Sequence, residues 1–326
     1  MQNKNFLNTP IRSANFLAIL LLLSMAFPAK SQMPQQIYNK LSLPASAYQL
    51  KFEWQGDSVN NTFEKHSAIL VPVKLKGCPK TFYLQFDLGA PYSLFYKKKL
   101  EAIKNKYPGT EVNVTSANTA SLSFKQRGSE INAAEINIRD FGSNEIDWSG
   151  KKPQIIGTIG VDLFDGQTLV IDYPKQKLTI SPEIPEKLKK GITYMPFTYN
   201  QRSILLPAVI QNKKTMLFFD TGSSRYSLLT DEKTAKAMAV ANAVPVTSKV
   251  SSWGRTMIAN TLSTDALIQI GGQTLPLQHI TFMQGARTSE IDMMVKMGMG
   301  GMTGNKLFLG HKLILDTRNK RFGLGK

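Results

Sequence analysis

The sequence of 326 residues is short of the residue types that several classes of site require. Cys78 is its only cysteine, so no internal disulfide is possible and the fold must take its stability from a core. The three histidines, His66, His279 and His311, are far apart in the chain and lack the spacing of metal ligands. No Gly-x-Ser-x-Gly or Gly-Lys-Ser/Thr segment is present, which argues against a serine-hydrolase elbow and a phosphate loop. We therefore expect no metal and no organic cofactor, although a dispersed Ser-His-Asp triad stays open.

Negative charge is also scarce, with 23 Asp and Glu against 40 Lys and Arg, giving a net charge of +17 at pH 7. Such a charge favours anionic partners, such as acidic peptides or a loosely bound anionic envelope surface. The basic residues are scattered, and the longest run is Lys97, Lys98 and Lys99. Because no arginine-rich stretch alternates with aromatic residues, we expect no nucleic acid partner.

The N-terminus has the pattern of a signal peptide over residues 1–31. Cationic flanks surround an apolar segment from about Phe16 to Phe27, which is shorter than the roughly 20 residues that cross a bilayer. Ala29-Lys30-Ser31 is a small-x-small cleavage site, so a mature chain from Gln32 is expected to be periplasmic or secreted. An uncleaved anchor is the alternative. Residues 32–47 are polar and contain prolines, which predicts a flexible lead-in.

The remaining chain repeats one pattern. The phrase "QFDLGAPYSLF" over residues 85–95 returns as "FFDTGSSRYSLL" over residues 218–229. Each copy follows two predicted strands joined by a polar turn, with Pro72 matching Pro207, and each is followed by a predicted short helix. The second helix has Thr230 as its candidate N-cap.

A third block closes each half. "GVDLFDGQTLVIDYPKQKLTI" from Gly160 aligns without a gap to "GNKLFLGHKLILDTRNKRFGL" from Gly304. Within it, Asp172 and Asp316 precede tight turns, where an Asp commonly bonds its own backbone, so we expect structural roles for both. Segments of alternating polarity between the blocks predict long hairpins that include a covering loop.

The pattern therefore predicts two homologous β-rich lobes. The boundaries are 48–182 for the first lobe, 183–191 for a linker and 192–326 for the second lobe.

These repeats resemble the pepsin/retropepsin superfamily of aspartic peptidases. The matching segments are Asp87-Leu88-Gly89-Ala90, Asp220-Thr221-Gly222-Ser223, Thr158-Ile159-Gly160 (its first position not hydrophobic) and Met302-Thr303-Gly304. The stretch over residues 155–180 looks like the closing motif of bacterial retropepsin-like proteins. The resemblance implies a mostly β, bilobal acid-protease fold of two β-barrel-like lobes with short helices. It also implies that both loops meet at the bottom of a cleft, and one chain holds both copies, so a monomer is expected.

The resemblance assigns catalysis to Asp87 and Asp220. Two carboxyls a few Å apart cannot both ionise cheaply, so one stays protonated while the other takes a proton from a water that attacks the scissile carbonyl. The glycines, Gly89 and Gly222, permit the tight turn beside the opposing loop. The expected function is an exported aspartic endopeptidase that acts on peptides or unfolded proteins, with acidic substrates favoured by the charge.

Leu88 departs from the family pattern. The resemblance implies that a Thr or Ser after each Asp hydrogen-bonds across to the other loop, which Thr221 can do and Leu88 cannot. Ala90 likewise lacks the hydroxyl that Ser223 can offer to its neighbouring Asp. The lost bond is worth about 0.5–1.5 kcal/mol, enough to loosen the pair without removing either carboxylate. A catalytically impaired peptide- or protein-binding module on the same fold is therefore the alternative.

Overall fold

The computed structural model describes residues 39–59, 62–252, 255–284 and 290–326, so the predicted signal peptide lies outside the described residues. The first lobe and the closing strands that follow it contain these strands: β1 (Leu41–Ser42), β2 (Tyr48–Lys51), β3 (Glu53–Val59), β4 (Thr62–Leu75), β5 (Thr81–Phe86), β6 (Leu94–Tyr96), β7 (Val112–Val114), β8 (Thr119–Gln126), β9 (Ser129–Arg139), β10 (Ile155–Ile159), β11 (Thr168–Asp172) and β12 (Lys177–Ser181). The second half contains β13 (Tyr194–Pro196), β14 (Thr198–Asn200), β15 (Ser203–Ile210), β16 (Lys213–Phe219), β17 (Val246–Ser252), β18 (Arg255–Ser263), β19 (Leu267–Ile270), β20 (Gln273–Pro276), β21 (His279–Gln284), β22 (Gly301–Thr303), β23 (Lys312–Asp316) and β24 (Arg321–Gly325). The helices are α1 (Lys97–Lys106), α2 (Glu186–Lys189), α3 (Glu232–Met238) and α4 (Glu290–Lys296).

Two sheets form the bodies of the lobes. In the first lobe the order is β1-β9-β6-β10-β5-β4-β8-β7, with β3 on β4. In the second lobe the order is β20-β19-β15-β16-β22, with β14 on β15, and β17, β18 and β21 form a further three-stranded sheet. Side chains of β5, β8 and β15 alternate strictly between buried and less buried positions, as expected for strands with one face on a core. The predicted mostly β class is confirmed.

The closing blocks of the two halves pair with each other. A third sheet runs β13-β24-β23-β11-β12-β2, and its central pair is β11 with β23, antiparallel. Val170 and Ile314 occupy the same place in the repeat and lie directly opposite each other in this pair. The approximate two-fold axis that relates the lobes therefore passes through that point, and one continuous sheet joins both halves.

Equivalent aromatic residues fill the cores of both lobes. Phe164 and Phe308, which the repeat aligns, are both fully buried. Phe308 meets Phe219 edge to face with ring centres 5.5 Å apart. Full burial of one such side chain contributes about 1.5–3 kcal/mol, so these rings anchor the strand that ends at the second Asp.

One sequence prediction needs correction at the start of a helix, and two predicted segments outside the lobes contain short elements. The N-cap of α3 is Asp231, not Thr230, because the Asp231 carboxylate accepts the Thr234 N–H at 3.0 Å. The predicted lead-in includes β1, which pairs with β9 and is therefore part of the first lobe. The predicted linker contains the one-turn helix α2.

Within the described residues, none of the helices is both long and apolar enough to cross a bilayer.

Candidate active site

Each catalytic Asp predicted from the sequence follows the end of a central strand. Asp87 follows β5 and Asp220 follows β16. The Asp87 N–H donates to Ile159 O at 3.0 Å, and the Asp220 N–H donates to Thr303 O at 3.0 Å. The strands β10 and β22 that supply these carbonyls run parallel to β5 and β16. The hydrophobic-hydrophobic-Gly segments of the sequence therefore hold both Asp loops in the same way.

The glycines of these segments are required by close packing. A Cβ on Gly160 would lie 2.5 Å from Ala90 O, and a Cβ on Gly304 would lie 2.0 Å from Ser223 O. Gly301 has φ +117, and a Cβ there would lie 2.0 Å from a backbone oxygen. The glycine-rich stretch that includes Gly301 and Gly304 thus serves backbone packing.

The two loops face each other, and each glycine lies against the opposing carboxyl. A Cβ on Gly89 would lie 2.6 Å from Asp220 Oδ1, and a Cβ on Gly222 would lie 2.7 Å from Asp87 Oδ1. The Gly89 N–H donates to Asp87 Oδ1 at 2.9 Å and to Asp220 Oδ1 at 3.1 Å. The two carboxyls are close enough to hydrogen-bond with each other. The structure therefore brings Asp87 and Asp220 together.

This environment favours one shared proton. Burial raises the pKa of Asp87 well above its ordinary value, and the adjacent charge and hydrogen bond of Asp220 raise it further, against the N–H groups of Gly89 and Ala90. Asp220 accepts the Gly222 N–H at 2.7 Å and the Ser223 hydroxyl at 2.8 Å. Asp87 has no matching hydroxyl donor among the described residues, so the arrangement of donors places the shared proton on Asp87.

Half of the reciprocal lock between the loops is present. Thr221 Oγ1 accepts the Leu88 N–H at 2.8 Å and donates to Phe86 O at 2.9 Å, so it ties the second loop to the first. Leu88 is 1% exposed and packs in the core, where it offers no hydroxyl in return. Ala90 leaves the first Asp without the partner that Ser223 gives to the second. The Asp220 loop therefore makes hydroxyl bonds that the Asp87 loop does not make.

Two sets of buried polar hydrogen bonds that support the Asp loops were not predicted from the sequence. Asn305 Nδ2 donates to Thr221 O at 2.9 Å, and Asn305 Oδ1 accepts the Tyr173 hydroxyl at 2.8 Å. In the first lobe the Ser93 hydroxyl donates to Asp162 Oδ1 at 2.6 Å and the Gly160 N–H donates to Ser93 Oγ at 3.0 Å.

The available signal was the repeat itself. Val161 and Asp162 stand where the second half has Asn305 and Lys306, so the two closing blocks carry different polar side chains directly after the aligned glycines. Burial raises the pKa of Asp162, while its bonds from Ser93 oppose that shift.

A hairpin of each lobe also makes an ion pair with the other lobe. Lys306 Nζ lies 2.8 Å from Glu64 Oε2, and Arg202 Nε lies 2.8 Å from Asp165 Oδ2. Beside the first pair, His66 O accepts the Ser224 hydroxyl at 2.7 Å. These contacts connect the first lobe to the second lobe beside the two Asp loops.

Two of the three histidines, distant in sequence, lie near the same ion pair. Burial lowers the pKa of both His66 and His279, and the Lys306 charge lowers both further. Across the described ranges, no three His, Cys, Asp or Glu side chains form a group that could hold a metal ion.

Other residues considered from the sequence have structural places. Asp172 Oδ1 accepts the Lys175 N–H at 3.1 Å, and Asp316 Oδ1 accepts the Asn319 N–H at 3.0 Å, which confirms their turn roles. Cys78 is buried.

The predicted long hairpin of the second lobe is β17–β18, whose tip at 253–254 lies outside the described residues. Its residues Val250 and Ala259 pack in one cluster with Tyr226, which follows the Asp220 loop. This hairpin therefore borders the candidate site.

A comparison with solved structures agrees with the fold. The solved structure of the aspartic proteinase from Irpex lacteus is similar over 86% of this chain and 97% of that chain, with a TM-score of 0.50 and 17% sequence identity. Identity this low shows the fold alone, and the fold is the two-lobed β fold of a pepsin-like aspartic proteinase. No protein-family model and no curated protein sequence matches the chain.

Proposed function

We propose that the mature chain is an aspartic endopeptidase that hydrolyses peptide bonds with the Asp87–Asp220 pair. The observation that carries the proposal is the pair itself, with one N–H of Gly89 donating to both carboxyls at 2.9 and 3.1 Å. The closing segment over residues 155–180 supports a place among the bacterial retropepsin-like members of the fold class. Peptides and unfolded proteins are the proposed substrates, cleaved by a monomer.

The chemistry follows from the proton arrangement. The Asp220 carboxylate takes a proton from water, and the water oxygen attacks the carbonyl carbon of the scissile bond. The Asp87 proton moves toward the carbonyl oxygen, where charge develops in the tetrahedral intermediate. As the C–N bond breaks, the proton held by Asp220 passes to the leaving nitrogen and one hydroxyl proton of the intermediate returns to Asp87, so the products are an acid and an amine and the pair again holds one proton. The Ser223 hydroxyl, 2.8 Å from Asp220 Oδ2, stabilises the charged form of this carboxylate.

The test is cleavage of an unstructured protein by the mature chain in mild acid. Activity should be blocked by a statine-type inhibitor and lost in Asp87→Asn and Asp220→Asn, since each variant removes one proton carrier. Asp265→Asn is the matched control, because Asp265 is an exposed Asp of the same lobe and should keep activity. Cleavage that survives the inhibitor or both dyad variants, or no cleavage between pH 3 and 8, would contradict the proposal.

A second candidate function is peptide or protein binding without turnover. The observation that favours it is Leu88, which leaves the first loop without its half of the lock. This candidate predicts saturable binding of peptides that stay intact. Failure to bind any peptide of a broad array would exclude this binding function. Cleavage of the bound peptides would instead support the peptidase proposal.

We also propose export, supported by the charge and hydropathy pattern of residues 1–31, and loose association with an anionic envelope surface. A groove of the first lobe is lined by exposed cations, among them Lys51, Lys74 and Lys175. Binding to vesicles of anionic lipid should weaken steeply as salt rises, and Lys74→Gln should weaken it further. Binding that salt does not change would contradict the electrostatic account.

A further inference from the structure

Arg225 and Tyr226 lie immediately beyond the second catalytic loop. The Tyr226 N–H donates to Ser223 O at 3.2 Å, and the Ser223 hydroxyl in turn donates to Asp220 Oδ2 at 2.8 Å. Consecutive Cα atoms are 3.8 Å apart, so Arg225 starts within about 8 Å of the Ser223 Cα. Both side chains are therefore attached close to the reacting carboxylates.

Two enclosed polar atoms here, Arg225 Nη1 and the Tyr226 hydroxyl, have no hydrogen bond of good geometry to a described residue. Burial raises the pKa of the Tyr226 hydroxyl, and the neighbouring Arg225 charge opposes that rise. The Arg225 guanidinium carbon lies 5.7 Å from the centre of the Tyr226 ring, and no described carboxylate is within ion-pair distance of it. Arg202, which is buried, has Asp165 at 2.8 Å. Among the described side chains, Arg225 therefore has no carboxylate partner.

A guanidinium that is partly removed from water and has no described counterion is stabilised by an anionic partner. A carboxylate matches the planar, two-pronged donor set of arginine, and a tyrosine hydroxyl alongside can donate to the same group. Arg225 is only partly buried, so a ligand can reach it.

The position narrows the ligand further. Tyr226 is 8% exposed and packs with Val250 and Ala259 of the β17–β18 hairpin, in the cluster that also includes Met302 at its edge. The Tyr226 ring therefore packs against that hairpin, and the Arg225 guanidinium lies beside this ring. This position favours an anionic group that belongs to a substrate held at the Asp87–Asp220 pair.

We propose that Arg225, helped by the Tyr226 hydroxyl, is a specificity-determining residue that binds an aspartate or glutamate side chain of the substrate next to the scissile bond. This inference rests on the proposed function, and it assigns the acidic preference to one residue rather than to the net charge of the chain.

The first experiment is a cleavage-site profile on a peptide mixture, read by mass spectrometry. Peptides cleaved by the wild-type protein should be enriched for Asp and Glu at one substrate position. For such peptides kcat/KM should be about 10- to 100-fold higher than for peptides with Asn or Gln there, as expected for a charge-assisted bond. Arg225→Gln should remove the preference, and Arg225→Glu should turn it toward Lys and Arg. Arg318→Gln, at an exposed arginine of the same lobe, should leave the profile unchanged. A profile that is the same in wild type and Arg225→Gln would overturn the inference.

The second experiment measures binding alone, so that the two proposals can fail separately. Asp220→Asn protein is titrated with a short fluorescein-labelled peptide that contains one glutamate, and with its glutamine twin. The glutamate peptide should bind about 10- to 100-fold more tightly than the glutamine peptide. The double variant with Asp220→Asn and Arg225→Gln should bind both peptides equally. Such binding with no cleavage by the wild type would refute the peptidase and keep the inference. Equal binding of the glutamate and glutamine peptides, together with cleavage by the wild type, would refute the inference and keep the peptidase proposal.

Discussion

Restoration of the missing hydroxyl at position 88 should raise turnover. In Leu88→Thr the new hydroxyl mirrors that of Thr221, which accepts an N–H at 2.8 Å and donates to a carbonyl at 2.9 Å. The mirrored bonds would join position 88 to the Thr221 N–H and to Phe219 O. One such bond is worth about 0.5–1.5 kcal/mol, so if it aligns the pair in the transition state, kcat should rise by about 2- to 10-fold.

The same change removes apolar packing, and its effect on stability must be measured separately. Leu88 is 1% exposed, and truncation of a buried leucine to alanine costs about 2–5 kcal/mol. Threonine keeps part of that volume and gains the bonds, so we expect a net loss of about 1–3 kcal/mol in the free energy of unfolding. A faster but less stable enzyme is therefore the expected result.

Leu88→Val is the matched control, because valine has the shape of threonine without the hydroxyl. The assay is steady-state cleavage of an unstructured protein, with urea unfolding of all three proteins alongside. Comparison of Leu88→Thr with Leu88→Val isolates the effect of the hydroxyl. The kcat of Leu88→Thr should be higher than that of Leu88→Val, and its free energy of unfolding should be equal or higher. Equal kcat in the two variants would refute the reasoning about the lock. A buried hydroxyl that finds no partner would instead make Thr less stable than Val by about 1–3 kcal/mol.

Three further predictions concern residues around the site. Thr221→Val removes both bonds of the existing half-lock, so urea unfolding should show a loss of about 1–3 kcal/mol; an unchanged midpoint would count against the lock. Because the pKa of Asp87 is raised, the folded state holds its proton more tightly, and the resulting stability is present in acid and lost as pH rises through the folded pKa. Asp87→Asn keeps the neutral form, so its unfolding free energy should exceed that of the wild type near neutral pH and should lack this pH-dependent loss; the same pH dependence in both proteins would contradict the assignment. Burial raises the pKa of Glu64, but the bonds from Lys306 and the His66 N–H outweigh burial and lower it overall, so its stabilisation is present above the ordinary value of 4.5 and lost as pH falls. Glu64→Gln should therefore be less stable than the wild type at pH 7 and equally stable in strong acid, and a constant difference across pH would exclude this linkage.

Much of the site was predictable because the chain repeats itself. The two Asp loops, the glycines beside them and the strands that support them are each local patterns that occur twice, so each copy supports the interpretation of the other. The consequence of Leu88 could also be predicted, since a hydroxyl is either present or absent at that position. The N-cap of α3 could not be predicted in this way, because Thr230 and Asp231 are both residue types that cap helices well. Only the backbone conformation decides between such neighbours.

Contacts between the lobes could not be predicted in this way. The Glu64–Lys306 and Arg202–Asp165 ion pairs join residues that are remote in sequence, and nothing local marks either partner. The Tyr173–Asn305 bond likewise depends on how the closing strands meet. The surroundings of Arg225 belong to the same class, because the lack of a carboxylate partner among the described side chains depends on the folded structure and not on the neighbouring sequence.

The most direct test of the account is a carboxyl-carbon NMR titration of Asp87 and Asp220 in the mature protein. We expect two well-separated steps, with a single proton held by the pair over the range between them, because burial and the neighbouring charge raise the pKa of Asp87. In Asp220→Asn the coupling should vanish and leave one step. Two carboxyls that titrate together near the ordinary value of 3.8, unaffected by the variant, would contradict the shared proton and the mechanism built on it.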